Sequence, residues 1–172
     1  NTYSSTPLVL NCTNTAGKGN GWTLLGNPFP SAIDWDYISS NGLGNGMDNA
    51  LYYYDNAQQN YRYYLSKFPN DDTTSLIGQR YIPAMQGFMV HAKTTGTKTV
   101  TINNNARSHQ GQSVYYKSAN TEGNNLTLKV SANGKQDEAF IHFNQSATTA
   151  FDGEYDAFKL KSYSEKVPAV YT

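Results

Sequence analysis

Apolar and polar residues trade places with a period of two along much of this chain, and nowhere does a helical period persist. Leu126-Thr127-Leu128-Lys129-Val130 and Phe140-Ile141-His142-Phe143 are the cleanest cases. Such alternation sends successive side chains to opposite faces, as in a half-buried antiparallel strand. Runs of this kind predict strands at 8–11, 22–26, 50–54, 61–65, 87–92, 97–102, 113–116, 125–130, 138–143 and 158–161. Gly, Asn and Asp fill the gaps between them and tolerate turn conformations. Asn133-Gly134 predicts a tight hairpin between its flanking strands. A second hairpin is predicted across 55–60, with Tyr52 and Tyr54 on one face of their strand and Tyr53 on the other. The exception is a short helical turn within 31–40, with Ser31 as its N-cap.

This inventory predicts an all-β, antiparallel β-sandwich, jelly-roll-like, with a smaller or incomplete C-terminal β-unit. Composition shifts near 107–112, which suggests a sandwich domain over 1–112 and a β-unit over 113–172 that is thin enough to be the truncated start of a second sandwich. The segment 22–36 carries both tryptophans, Pro28 and Pro30, and reads as a stiff corner bridging the sheets. In the block 82–90, Pro83 fixes a turn and Gly87 permits close backbone approach.

Composition narrows the partners. Only 15% of residues are charged, against an ordinary share of about 25%, and 13 basic residues balance 13 acidic ones. Nothing here supplies the electrostatic footprint that nucleic acid requires, and no apolar run approaches the roughly 20 residues that cross a bilayer. The single cysteine, Cys12, has no partner within the chain, so the fold rests on its core. Residues 1–7 lack the basic and apolar parts of a signal peptide, as expected of a mature chain or a fragment.

Candidate chemistry is sparse. There is no Gly-x-Ser-x-Gly elbow, and His91, His109 and His142 stand apart without ligand spacing. No catalytic residue is assigned, and a glycosidase pair of Asp34 and Asp36 has no support beyond proximity. Asp152, Glu154 and Asp156 alternate as calcium ligands do, which makes calcium the one cofactor the sequence admits; a solvated acidic turn accounts for the same spacing. Tyr53, Tyr61 and Tyr63 are candidates for stacking on a sugar ring or a partner protein, set against ordinary cross-strand tyrosine packing.

The runs at 26–36 (Gly26-Asn27-Pro28-Phe29-Pro30 through Asp34-Trp35-Asp36), 50–55, 82–90 and 137–144 resemble a recurring module of Bacteroidota secreted proteins of the type IX secretion kind. The resemblance covers most of 21–172. It implies a β-sandwich region of a large secreted or cell-surface protein and carries over no catalytic residue. Asp72-Thr73-Thr74 resembles an O-glycosylation acceptor of the same bacterial group, with Thr73 as the modified residue. The expectation is a non-catalytic extracellular structural or adhesive module, whose partner is a polysaccharide or a surface protein. The alternatives are a carbohydrate-binding module attached to a hydrolase and a surface-fibre subunit that self-associates through an open sheet edge.

Overall fold

The computed structural model describes residues 6–17, 19–66, 79–109 and 125–172. Among these, the chain forms β1 (Leu8–Asn14), β2 (Trp22–Gly26), β3 (Ala32–Asp34), α1 (Trp35–Asn41), β4 (Ala50–Asp55), β5 (Asn60–Leu65), β6 (Tyr81–Ile82), β7 (Gly87–His91), β8 (Gly96–Ile102), β9 (Arg107–Ser108), β10 (Asn125–Ala132) and β11 (Lys135–His142). All pairings are antiparallel, and the architecture is all-β and sandwich-like.

One layer is a four-stranded sheet in the order β2-β7-β4-β5. Facing it are the β1–β8 ribbon, the small β6-β3-β9 sheet and α1. The main core lies between them, built from Cys12, Ile33, Trp35, Ile38, Leu51, Phe88, Val90, Val100 and Ile102, all buried. Trp35 meets Phe88 edge-on at 5.9 Å, and its indole N–H donates to the Asn49 carbonyl at 2.7 Å, so its one polar atom is satisfied inside the core.

The residues between these inward positions point the other way. Trp22, Tyr52, Tyr63 and Met89 form the outer face of the four-stranded sheet. A strap that begins at Phe143 and has no regular strand or helix covers part of that face. Phe158 seats its ring 5.7 Å from Trp22 and 4.9 Å from His91, and its amide donates to the Tyr52 hydroxyl at 2.8 Å. The strand expected at 158–161 is therefore not one: its apolar residues are partly buried by lying on a sheet rather than by joining its ladder. β10 and β11 form a separate two-stranded sheet. Their turn, Asn133-Gly134, has φ of 55° and 69° at its two residues, as a type I′ reversal requires.

The helix starts later than expected. Asp34, not Ser31, is the N-cap, and its Oδ1 accepts from the Asp36 amide at 3.0 Å, because Ala32–Asp34 are held extended by pairing with β6 and β9. The strand expected at 113–116 lies outside the described residues.

Candidate functional site

The strand registers fix which side chains share the outer face. Leu24 pairs with Met89, Met89 with Tyr52, and Tyr52 with Tyr63. One step along, Gly26 pairs with Gly87 and Tyr54 with Tyr61; carrying the Tyr52–Met89 register forward sets Tyr54 opposite Gly87. The strap packs against Met89, Tyr52 and Tyr63 of the first row, leaves Leu24 exposed, and brings Tyr163 to the end of the second. Tyr54 and Tyr61 meet edge-on at 5.2 Å, Tyr61 and Tyr163 at 6.0 Å, and Tyr54 and Tyr163 at 6.4 Å. The Tyr61 hydroxyl donates to that of Tyr163 at 3.0 Å. Tyr54 is 41% exposed and Tyr163 85%.

Of the three tyrosines picked out from sequence, only Tyr61 belongs to this cluster. Tyr63 shares its face but packs against Tyr52 and the strap side of the sheet. Tyr53 points to the opposite face, against the main core, with its hydroxyl donating to the Gln79 carbonyl at 3.1 Å. Tyr54 and Tyr163 were missed. The parity of 52–54 contained the signal for Tyr54; nothing local to 162–164 places Tyr163, which arrives by tertiary packing.

A family model described as a domain of unknown function, DUF8693, matches residues 1–170. The chain belongs to that family. No curated protein and no solved structure matches it.

Several charged groups of this DUF8693 domain are held in paired clusters. Arg80 grips Asp34 with two N–H···O bonds of 2.7 Å and reaches Asp36 at 3.1 Å, while the Tyr64 hydroxyl donates to Asp36 Oδ1 at 2.9 Å. The bond to Asp34 holds the Arg80 pKa above its ordinary value, and burial followed by the Asp36 charge does the same for Tyr64. Asp34 and Asp36 are thus locked by a shared cation and do not flank an open cleft. Asp55 pairs with Arg62; burial pushes its carboxyl up, but Arg62 and the amides of Gln58 and Ala57 together pull it below the usual range.

His91 faces two acceptors. Nε2 lies 2.7 Å from the Asn20 carbonyl, which can only accept, so that nitrogen carries a proton. Nδ1 lies 2.5 Å from buried Asp48. With both nitrogens occupied, the imidazole is a clamp between loop and sheet rather than a base open to substrate. Asp137 is a second clamp. It accepts from Asn60 Nδ2 at 2.7 Å, from the Val170 amide at 2.9 Å and from Lys159, tying β5, β11 and the strap together around a crevice of about 30 Å³. A second hollow, of about 380 Å³, lies beside Ser31, Arg107 and His109.

Asp152, Glu154 and Asp156 lie on one turn of the strap. Asp152 Oδ1 accepts from the Glu154 amide at 2.9 Å, and Asp156 Oδ2 from the Asp152 amide at 2.7 Å, so two of the three carboxylates close the turn itself. Among the described residues no group of three or more His, Cys, Asp or Glu converges as metal ligands would. Thr73 lies outside the described residues. No helix among the described residues is long and apolar enough to cross a membrane.

Proposed function

We propose that this domain is a non-catalytic adhesive module of a secreted or cell-surface protein, of the type IX cargo kind, and that its exposed tyrosines contact polysaccharide. The observation that carries the reading is the Tyr54–Tyr61–Tyr163 cluster. Tyrosine offers a large, rigid, amphipathic surface at a low cost in side-chain entropy, and here three rings stand together where two are well exposed. Their hydroxyls supply hydrogen bonds beside the ring faces that apolar C–H surfaces of a sugar cover. The inward pairing of Asp34, Asp36, Asp48, Asp137 and His91 supports a binding role over hydrolysis. A glycan array probed with the parent domain and with a Tyr54→Ala/Tyr163→Ala variant tests this: binding that disappears in the variant while the fold persists supports it, and equal signals refute it.

A second reading, a self-associating surface subunit, is favoured by one observation. The β10–β11 ribbon pairs with no other strand among the described residues, and Leu126 and Leu128 on β10 are exposed. Open strand edges recruit further strands. Light scattering across a concentration series separates the two readings.

A further inference from the structure

Charge is scarce in this chain, yet one ion pair is set beneath the strap. Asp137 and Asn60 are buried, and Lys159 reaches them with only 20% of its side chain exposed. Taking a carboxylate and an ammonium out of water costs about as much as their attraction returns, and apolar residues of the same volume often serve a fold as well. The neighbouring charges have partners of their own: Lys129 pairs with Glu138 and Arg62 with Asp55. What sets the Lys159–Asp137 pair apart is the side-chain amide that shares its oxygen.

Asp137 Oδ1 accepts from Asn60 Nδ2 at 2.7 Å and from Lys159 Nζ. Two donors on one oxygen stand within about 5 to 6 Å of each other, so the lysine nitrogen and the Asn60 amide group are neighbours. Asn60 Oδ1 accepts from the Tyr61 amide at 2.9 Å, which places a donor on the oxygen where negative charge gathers when a nucleophile adds to Asn60 Cγ. Lys159 is steadied by a second bond, to the Glu138 carbonyl at 3.2 Å, and Asp137 by the Val170 amide on its other oxygen at 2.9 Å. Tyr63 and Phe140 line the same crevice, whose volume of about 30 Å³ is that of one small molecule the size of water. A nucleophile, an electrophilic carbon and a proton carrier thus meet in one partly desolvated place.

We infer that Lys159 and Asn60 join through an intramolecular isopeptide bond, with Asp137 carrying the protons. The Lys159 ammonium passes a proton to Asp137 along their hydrogen bond, and the freed lone pair of Nζ adds to Asn60 Cγ while the Tyr61 amide holds the oxyanion. The adduct collapses by breaking the Cγ–Nδ2 bond, and Asp137 delivers its proton to the leaving nitrogen. The new amide keeps one hydrogen on Nζ; the others depart with Nδ2 as ammonium, Asp137 ends as the carboxylate it began as, and nothing is oxidised or reduced. The product replaces the lysine's buried charge with a neutral link from β5 to the strap. Because about 100 residues separate the joined positions, the cross-link removes much freedom from the unfolded chain, as any covalent bridge across a long loop does. It stands whether or not the exposed tyrosines bind polysaccharide.

Intact-mass spectrometry of the purified domain decides the matter. The parent should weigh less than its sequence by one ammonia, about 17 Da, and peptide mapping should recover a branched species that joins the Asn60 and Lys159 peptides. Lys159→Arg and Asp137→Ala should each show the full sequence mass, give no branched peptide and melt at a lower temperature than the parent, with near-ultraviolet circular dichroism reporting the fold. Should neither variant fold, the mass and the peptide map of the parent decide alone. A parent at full sequence mass overturns the bond. So does a loss that persists in Lys159→Arg, or a loss of water, about 18 Da, that joins Lys159 to Asp137 instead.

Discussion

His91 Nδ1 lies 2.5 Å from Asp48 Oδ2, joining the end of β7 to the loop that precedes β4 across 43 residues of sequence. Asp48 is fully buried, and its other oxygen has no hydrogen-bond partner, so the carboxylate depends on the imidazole. Removing one member of a buried pair strands the other, at a cost of about 3 to 5 kcal/mol. His91→Ala should lower the unfolding free energy read from urea titration by that amount, and the double change with Asp48→Ala should cost less than the sum of the singles.

The same carboxylate limits the strap. A Cβ at Gly153 would overlap Asp48 Oδ1, and the Gly153 carbonyl accepts from the Asn49 amide at 3.1 Å. Gly153→Ala should therefore loosen the strap, destabilising by about 1 to 3 kcal/mol through overpacking. Limited proteolysis should show faster cleavage after Phe143 in the variant than in the parent.

These clamps bear on what could be read from the chain alone. Alternation located the hairpins and the sheet strands because period two is a local property, and it gave the facing of Tyr52, Tyr53 and Tyr54 correctly. It misread 158–161, where apolar residues alternate with lysines but lie across a sheet instead of pairing. The two-residue strands β6 and β9 are too short to carry a period. The tyrosine cluster was half legible: Tyr54 and Tyr61 follow from hairpin register, while Tyr163 depends on a strap held by tertiary contacts 102 residues away in sequence. Gly87 reads from sequence as a site of close backbone approach, but a Cβ there would meet only Leu24 and the Leu25 carbonyl at 3.8 Å, an ordinary contact.

Met85 stores backbone strain in the turn that leads into β7. Left-handed backbone costs a non-glycine residue about 1 to 2 kcal/mol, and Met85 adopts it with φ of 63°. Met85→Gly should raise the unfolding free energy read from urea titration by up to about that amount. A variant that is less stable than the parent would contradict strain at this turn.

Alkaline pH should reveal the aromatic face. Burial, then the bond and charge of Tyr163, push Tyr61 up to about 12; burial, then the Glu138 and Asp137 charges, do the same for Tyr63. An ordinary tyrosine titrates near 10. Groups whose folded pKa is raised keep their full contribution below the unfolded value and lose it as pH climbs. Stability should thus hold up to about pH 10 and fall between about 10 and 12, followed by urea midpoints alongside phenolate absorbance. Tyr163→Phe should bring the Tyr61 titration closer to the ordinary value.

Ring-proton NMR during titration with a bound polysaccharide fragment reports on the proposed surface most directly. Resonances of Tyr54, Tyr61 and Tyr163 should shift saturably together, with Trp35 and Phe88 in the buried core unmoved and the glycan recovered intact. Shifts centred on Tyr64 beside Asp36 and Arg80, accompanied by shortened glycan products, would contradict the account.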